Sequence, residues 1–410
     1  MTAAEPNRGL IHFSPRSGWM NDPNGLLHYR GTYHFYFQHA PGSLVWDTMH
    51  WGHATSPDLV RWTEQPIALD PAIHPGDLWS GGGVVDLRNT SGLKSGDHDP
   101  IVVFSGTQGV RMFYSLDGGF TFTPYDGGRV IAQPSGRESR DPKVVWHEPT
   151  GQWAMVVWSD ADGNGVDFFV SPDLLQWERT SRYAAGWFFE CPDFTPMDLD
   201  GETVWVLRDA RGSYVVGAFD GRTFTTAWTS PQTITTNPGA AGSDYYAAQS
   251  FDNVDRTVTM AWQGGNHGAT WTGNASFPVE QELVGTPDGP RVLSRPVDEI
   301  RTLRHDTQSW PEATFSAGTH VLGEGCTAEL EIAGASRACT LRIRGCFDVP
   351  VAPDETLRLL VDRGQLAVFS GLDYRCLNVD LDRRAAGDEI ALVTDGPLRV
   401  SSLVLHQLRP

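Results

Sequence analysis

Along most of the chain, apolar and polar positions alternate in short runs and do not recur every three or four residues. Tyr33-His34-Phe35-Tyr36-Phe37, Ile101-Val102-Val103-Phe104 and Trp153-Ala154-Met155-Val156-Val157-Trp158 are aromatic and β-branched stretches of strand length. A turn pattern recurs among them. Ser56-Pro57-Asp58-Leu59-Val60-Arg61-Trp62 returns as Ser171-Pro172-Asp173-Leu174-Leu175-Gln176-Trp177. Looser copies are Ser115-Leu116-Asp117-Gly118-Gly119-Phe120-Thr121-Phe122 and Phe219-Asp220-Gly221-Arg222-Thr223-Phe224. The Asp positions lie 59, 56 and 47 residues apart (58 to 117, 117 to 173, 173 to 220). A repeat of roughly 50 to 60 residues built from short strands predicts propeller blades, about five of them over about 300 residues. The competing reading is a β-sandwich with coincidental turns.

Helical signals are scarce. Pro296-Val297-Asp298-Glu299-Ile300-Arg301-Thr302-Leu303 predicts at most a linker helix. Beyond it the texture changes: Trp310 is the last of 15 Trp, and four of the five Cys follow it. Thr356-Leu357-Arg358-Leu359-Leu360-Val361 and Leu366-Ala367-Val368-Phe369, either side of Asp362-Arg363-Gly364, predict a hairpin. The expected fold is all-β, with a five-bladed β-propeller over residues 1–305 followed by a smaller C-terminal β-sandwich over residues 306–410.

Composition narrows the function classes. The 44 Gly and 27 Pro favour tight turns over long helices. A net charge of −19 argues against a nucleic-acid partner, which needs clustered Lys and Arg. No 18-residue apolar run exists, so no membrane partner is expected. Met1-Thr2-Ala3-Ala4-Glu5-Pro6 lacks the basic start and apolar stretch of a signal peptide. The five cysteines, without CxxC spacing, fit a reduced compartment and no structural zinc. The expected location is the cytoplasm, or outside the cell if a leader was removed, and neither cofactor nor metal is expected. The many Trp suit a core, and equally suit sugar binding, because an indole offers an apolar face and one N–H donor.

Glycoside hydrolysis needs two carboxyl groups across the scissile bond, and among 50 acidic residues only the setting discriminates. Asp22 sits in Trp19-Met20-Asn21-Asp22-Pro23-Asn24-Gly25, preceded by His12-Phe13-Ser14-Pro15. Turn-formers fix its carboxylate while an indole and an amide stand beside it; a lone Asp-Pro would more often be a cap. Glu190 follows Trp187-Phe188-Phe189, an apolar setting expected to desolvate it as a general acid requires. Asp141 follows Arg140, a cation expected to keep it ionised. Taken alone, Glu190 reads as a surface glutamate and Arg140-Asp141 as a local ion pair.

The blocks together are more specific. The Asp22 run, Phe35-Tyr36-Phe37-Gln38, Trp46, Met49-His50-Trp51-Gly52-His53-Ala54, Trp79-Ser80-Gly81-Gly82, Arg140-Asp141-Pro142, Glu190-Cys191-Pro192, Asp244-Tyr245-Tyr246-Ala247 and Arg291-Val292-Leu293-Ser294-Arg295-Pro296-Val297 follow in one order. In that order they resemble glycoside hydrolase family 32, the invertase, inulinase and levanase family, from about residue 10 to residue 305. The resemblance implies that Asp22 is the nucleophile, Glu190 the acid/base and Asp141 a transition-state stabiliser. It implies substrate contacts from Trp19, Asn21, Gln38, Trp46, Trp79, Ser80 and Arg140. The activity implied is retaining hydrolysis of terminal β-D-fructofuranosyl linkages in sucrose or fructans through a covalent fructosyl-enzyme. The partner is then a small or oligosaccharide fructoside, with a homo-oligomer through the sandwich also possible within the family. A fructosyltransferase on the same scaffold is the alternative, and a sugar-binding propeller without turnover a third reading. The chain departs from the family pattern at His39-Ala40-Pro41, Trp79-Ser80-Gly81-Gly82 and Phe189-Glu190-Cys191, positions that shape the pocket wall and not its carboxyl groups.

Overall fold

The computed structural model describes residues 5, 7–235, 244–325, 327–345, 347–378 and 387–410. Five blades radiate from an axis, and the innermost strand of each is largely buried. These strands are Gly18–Tyr29, Gly83–Val85, Ser139–His147, Asp193–Leu199 and Tyr246–Ser250. Each lies against the next, and the last against the first, so they form a closed ring. The chain is thus a five-bladed β-propeller followed by a β-sandwich. Among the described residues helix is confined to two 3-10 segments, one of them Asp298–Leu303 at the expected linker. None is long and apolar enough to cross a membrane.

The recurring Asp turns are the outer hairpins of the first four blades. Asp58 Oδ1 accepts the backbone N–H of Val60 and Arg61, and Asp173 Oδ1 accepts those of Leu175 and Gln176. Asp220 caps its turn in the same way, and Asp117 accepts one residue further on, from Phe120 and Thr121. A short carboxylate that bonds its own backbone two and three residues on is a self-contained turn former. Leu59 and Leu174 occupy matching left-handed positions, at φ 65° and 66°. The fifth blade turns instead through Thr286 and Gly289, so it carries no copy.

Closure joins the two ends of the propeller. Trp271–Ala275, a hairpin partner of Thr257–His267, also pairs in parallel with the first inner strand, Gly18 opposite Trp271. First and last blades therefore share one nine-stranded sheet. Seams between blades are packed with aromatic rings, such as Phe194 stacked on Trp205 at 4.4 Å and edge-on to Phe168 at 5.4 Å.

From Arg304 the chain builds a six-stranded and a four-stranded antiparallel sheet around their own apolar core. Thr356–Asp362 and Gln365–Ser370 form the expected hairpin, Asp362 opposite Gln365. This sandwich is not detached. Leu360, Ala367, Phe369, Tyr374, Cys376 and Leu408 belong to the same apolar cluster as Phe277 and Tyr245 of the last blade. The buried Asp362 carboxylate accepts the N–H groups of Leu10, Ile11 and His12, strapping the N-terminal segment across the junction. Cys191, Cys339 and Cys376 are unbridged and buried; Cys326 and Cys346 lie outside the described residues.

Candidate active site

One mouth of the propeller axis holds a pocket of about 380 Å³. Its lining includes all ten residues singled out in the sequence: Trp19, Asn21, Asp22, Gln38, Trp46, Trp79, Ser80, Arg140, Asp141 and Glu190. Tyr246 and Trp262 complete it. Both stand in the fifth blade, and the block Asp244-Tyr245-Tyr246-Ala247 was the signal that pointed to Tyr246.

Irregular backbone aims the side chains. The pairing register slips between Met20 and Pro23, between Arg140 and Lys143, and between Tyr246 and Gln249. Each slip is an extra residue at the start of an inner strand, the kind of bulge that turns a side chain out of the alternating pattern. It frees Asn21 and Asp22 in one blade and Asp141 in another. Asp141, Glu190, Cys191 and Ala247 all sit at positive φ, 61°, 57°, 41° and 52°. For residues other than glycine this costs on the order of 1 kcal/mol or more each. Four such residues around one pocket mean that the surrounding ring dictates their conformation.

Hydrogen bonds then fix the three carboxyl groups. Ser80 Oγ donates to Asp22 Oδ2 at 2.6 Å, and the Cys191 thiol approaches the same oxygen at 3.4 Å. Asp141 Oδ2 accepts the Cys191 backbone N–H at 3.0 Å. Glu190 Oε1 accepts two guanidinium N–H bonds from Arg140, at 2.6 and 3.2 Å, and Oε2 accepts the Tyr246 hydroxyl at 2.6 Å. Arg140 is in turn pressed on Trp158, its guanidinium carbon 4.2 Å from the ring centre, and reaches over Trp79 at 5.6 Å. Trp19 Nε1 donates to Asn21 Oδ1. Gln38 Nε2 donates to the Leu78 carbonyl. Trp46 stands at the rim, 54% exposed and edge-on to Trp79.

The setting of Glu190 and the electrostatics of Asp141 differ from expectation. Phe188 is buried in the seam between the third and fourth blades, and Trp187 and Phe189 pack against that cluster. The Glu190 side chain turns away from them, 21% exposed and paired with Arg140. Asp141 is the deeply buried acid. Burial, then the charge of Glu190, pushes its pKa up to about 8, and Arg140 at 3.9 Å does not offset this. Burial also raises Asp22, with Ser80 and Asn21 pulling back and Glu190 adding to the rise. Burial therefore favours the protonated form of Asp141 near neutral pH. The same surroundings push the Cys191 thiol well above its ordinary range.

Beneath the pocket the axis is filled by an ion cluster. Lys143 Nζ and Arg208 Nε each lie 3.2 Å from Asp193. Burial alone would raise Asp193, yet the two cations bring it down to about 2. Among the described residues, the one cluster with metal-ligating geometry is Glu329, Glu331 and His406 in the sandwich. Arg304 and Arg358 already neutralise Glu329 there.

The profile of the glycosyl hydrolases family 32 N-terminal domain matches residues 12–296. Levanase from Bacillus subtilis is 31% identical, the alignment covering 99% of this chain and 71% of that protein. Invertase 2 from Saccharomyces cerevisiae is 37% identical over 68% of this chain and 55% of its own length. Among solved structures, exo-inulinase from Aspergillus awamori superposes with a TM-score of 0.83 at 24% identity, covering 100% of this chain and 99% of that one. Fructofuranosidase from Schwanniomyces occidentalis in complex with fructose gives 0.84 at 23% identity, with all of both chains covered. The ordered blocks, the five-bladed ring and these matches agree, and the chain belongs to glycoside hydrolase family 32.

Proposed function

We propose that the axial pocket is the active site of a retaining β-fructofuranosidase that releases terminal β-D-fructofuranosyl units from sucrose or fructans. The observation that carries this reading is the convergence of Asp22, Asp141 and Glu190, from separate blades, on one Trp-lined pocket. Its substrate class rests on relatives named levanase, exo-inulinase and invertase. In this reading the Asp22 carboxylate attacks the anomeric carbon while Glu190 gives a proton to the leaving glycosidic oxygen. The C–O bond to the leaving group breaks as the ester to Asp22 forms. Glu190 then takes a proton from water, whose oxygen attacks the same carbon, freeing fructose and restoring Asp22. Asp141, buried at the base of the pocket, binds ring hydroxyls. Arg140 orients Glu190, and the indoles of Trp19, Trp46 and Trp79 with Asn21 and Gln38 hold the sugar. A pocket near the small end of the roughly 300–1,000 Å³ range of ligand sites supports exo action on one terminal unit.

The proposed catalytic unit is residues 1–305 and the sandwich residues 306–410, a division supported by the first sandwich strand, Arg304–Pro311, starting within two residues of it. The free buried thiols support a reducing, cytoplasmic setting, whereas the Aspergillus niger exo-inulinase is named as extracellular. Incubation with sucrose, levan and inulin tests the activity: free fructose released unit by unit is expected. A ladder of new oligofructosides at high sucrose would point to transfer in place of hydrolysis.

A further inference from the structure

Ser80 Oγ is the closest donor to Asp22, so whatever fixes the backbone around Ser80 acts on that carboxylate. The segment Leu78–Gly82 is pinned at almost every peptide. Trp51 Nε1 and Ser105 Oγ donate to the Trp79 carbonyl, at 3.1 and 2.6 Å. Gly82 N–H donates to the Pro142 carbonyl at 2.6 Å, and its carbonyl accepts Phe104 N–H at 2.9 Å. Gly81, next to Ser80, is held at its N–H and at its carbonyl by two buried amide side chains. Asn24 Oδ1 accepts Gly81 N–H at 3.2 Å, and Gln249 Nε2 donates to the Gly81 carbonyl at 3.3 Å, which also accepts Gly25 N–H at 3.0 Å.

Asn24 is 0% exposed and Gln249 1%, and among the described residues their remaining amide atoms have no protein partner. Burying a primary amide costs free energy unless its groups are bonded. Among the described residues, the bond each amide side chain makes is the one to Gly81. That peptide has no room to be held otherwise, since a Cβ on Gly81 would lie 1.8 Å from the Phe104 carbonyl oxygen. Gln249 follows the bulge of the fifth inner strand and Asn24 the bulge of the first. The clamp thus spans the joint between first and last blades.

We propose that Gln249 and Asn24 are positioning residues for catalysis, which act through the Gly81 peptide to hold Ser80 Oγ against the Asp22 carboxylate. The inference rests on Asp22 being the nucleophile. Neither amide touches substrate. The charged or titratable groups that face Asp22 are Glu190, Asp141, Cys191 and Tyr246, with Arg140 beside them; none of these is altered by changing Gln249.

The test is a two-residue cycle of Ser80→Ala, Gln249→Met and the double variant, with kcat/KM for sucrose measured against pH. Losing a hydrogen bond to a charged carboxylate should move the acid limb up by about one unit in Ser80→Ala. Gln249→Met should move it in the same direction by a smaller amount. In the double variant the shift should equal that of Ser80→Ala alone, because the clamp has nothing left to position. An acid limb unmoved by Gln249→Met, or shifts that add, would overturn the proposal. Gln249→Asn, one methylene too short to reach Gly81 but still polar, gives the same readout if the Met variant fails to fold. Asp22→Asn separates the two claims: an Asp22→Asn enzyme that still turns over removes the nucleophile reading, whatever the cycle shows.

Discussion

Arg140 is gripped from several directions, and its planar fork is what each contact uses. Two of its N–H groups meet Glu190, a third meets Glu138 at 3.2 Å, and its flat faces meet Trp158 and Trp79. Lysine keeps the charge but loses the fork and the stacking. Arg140→Lys should lower kcat/KM roughly 100-fold with the fold intact, the low end of what a residue directing acid–base transfer contributes; steady-state kinetics with circular dichroism would check it. Near-normal activity in that variant would contradict the orienting role. Cys191 lies between Asp22 and Asp141, and burial with three nearby acids keeps its thiol protonated. Since the thiolate is the reactive form, the Cys191 peptide should stay unlabelled by iodoacetamide at pH 8 in the folded enzyme, read by peptide mass. Asp22, Asp141 and Glu190 were legible because each stands in a short local block. Their surroundings were not, because these depend on groups brought in from other blades: burial of Asp141 outweighs its sequence neighbour Arg140, and Glu190 pairs with Arg140.

Blade turns were legible for the opposite reason from the bulges. An Asp that bonds its own next residues leaves a local mark, so Asp58, Asp117, Asp173 and Asp220 announce four blades. The bulges at Asn21, Asp141 and Ala247 leave none, since they arise from register against a partner strand. One pair of side chains at the contact of the first two blades should make stability depend on pH. His34 Nδ1 lies 3.0 Å from His53 Nε2 on adjacent strands, the rings stacked and covered by Tyr36 and Phe120. Burial, with His28 nearby, lowers His34 to about 4; burial and His34 lower His53 well below its ordinary value, with Asp117 opposing weakly. Both are neutral in the fold and take up protons at higher pH when unfolded, at about 6.5. Stability should therefore be complete above pH 6.5 and fall between pH 6.5 and 4, by on the order of 2–3 kcal/mol from His34. Urea unfolding at pH 7 and pH 5 would show it, and His34→Gln should flatten the dependence. A slope unchanged by that substitution would contradict the assignment.

At the scale of the molecule, propeller and sandwich are separate in sheet topology but continuous in core. Phe369, Tyr374, Cys376 and Leu408 pack into the cluster that supports the last blade, and Gln263 Nε2 donates to the Leu377 carbonyl across the junction. The change in Trp and Cys usage marked where the second unit starts; the shared core left no pattern, because apolar residues at an interface look like any other strand interior. A chain ended at residue 303 would expose that cluster and should aggregate or unfold non-cooperatively, whereas the whole chain should melt in a single transition by calorimetry. Two resolved transitions would contradict the shared core. Pairing of the last blade with the first closes the ring, and the closed ring brings Asp22 and Glu190 to one pocket. The decisive measurement is therefore chemical. Glu190→Gln should be mixed with β-fructofuranosyl fluoride, whose leaving group needs no acid, then quenched and digested for peptide mass analysis. One added fructosyl unit on the Asp22 peptide is the expected result; a fructosyl unit on another carboxylate, or free fructose formed with inversion and no adduct, would contradict it.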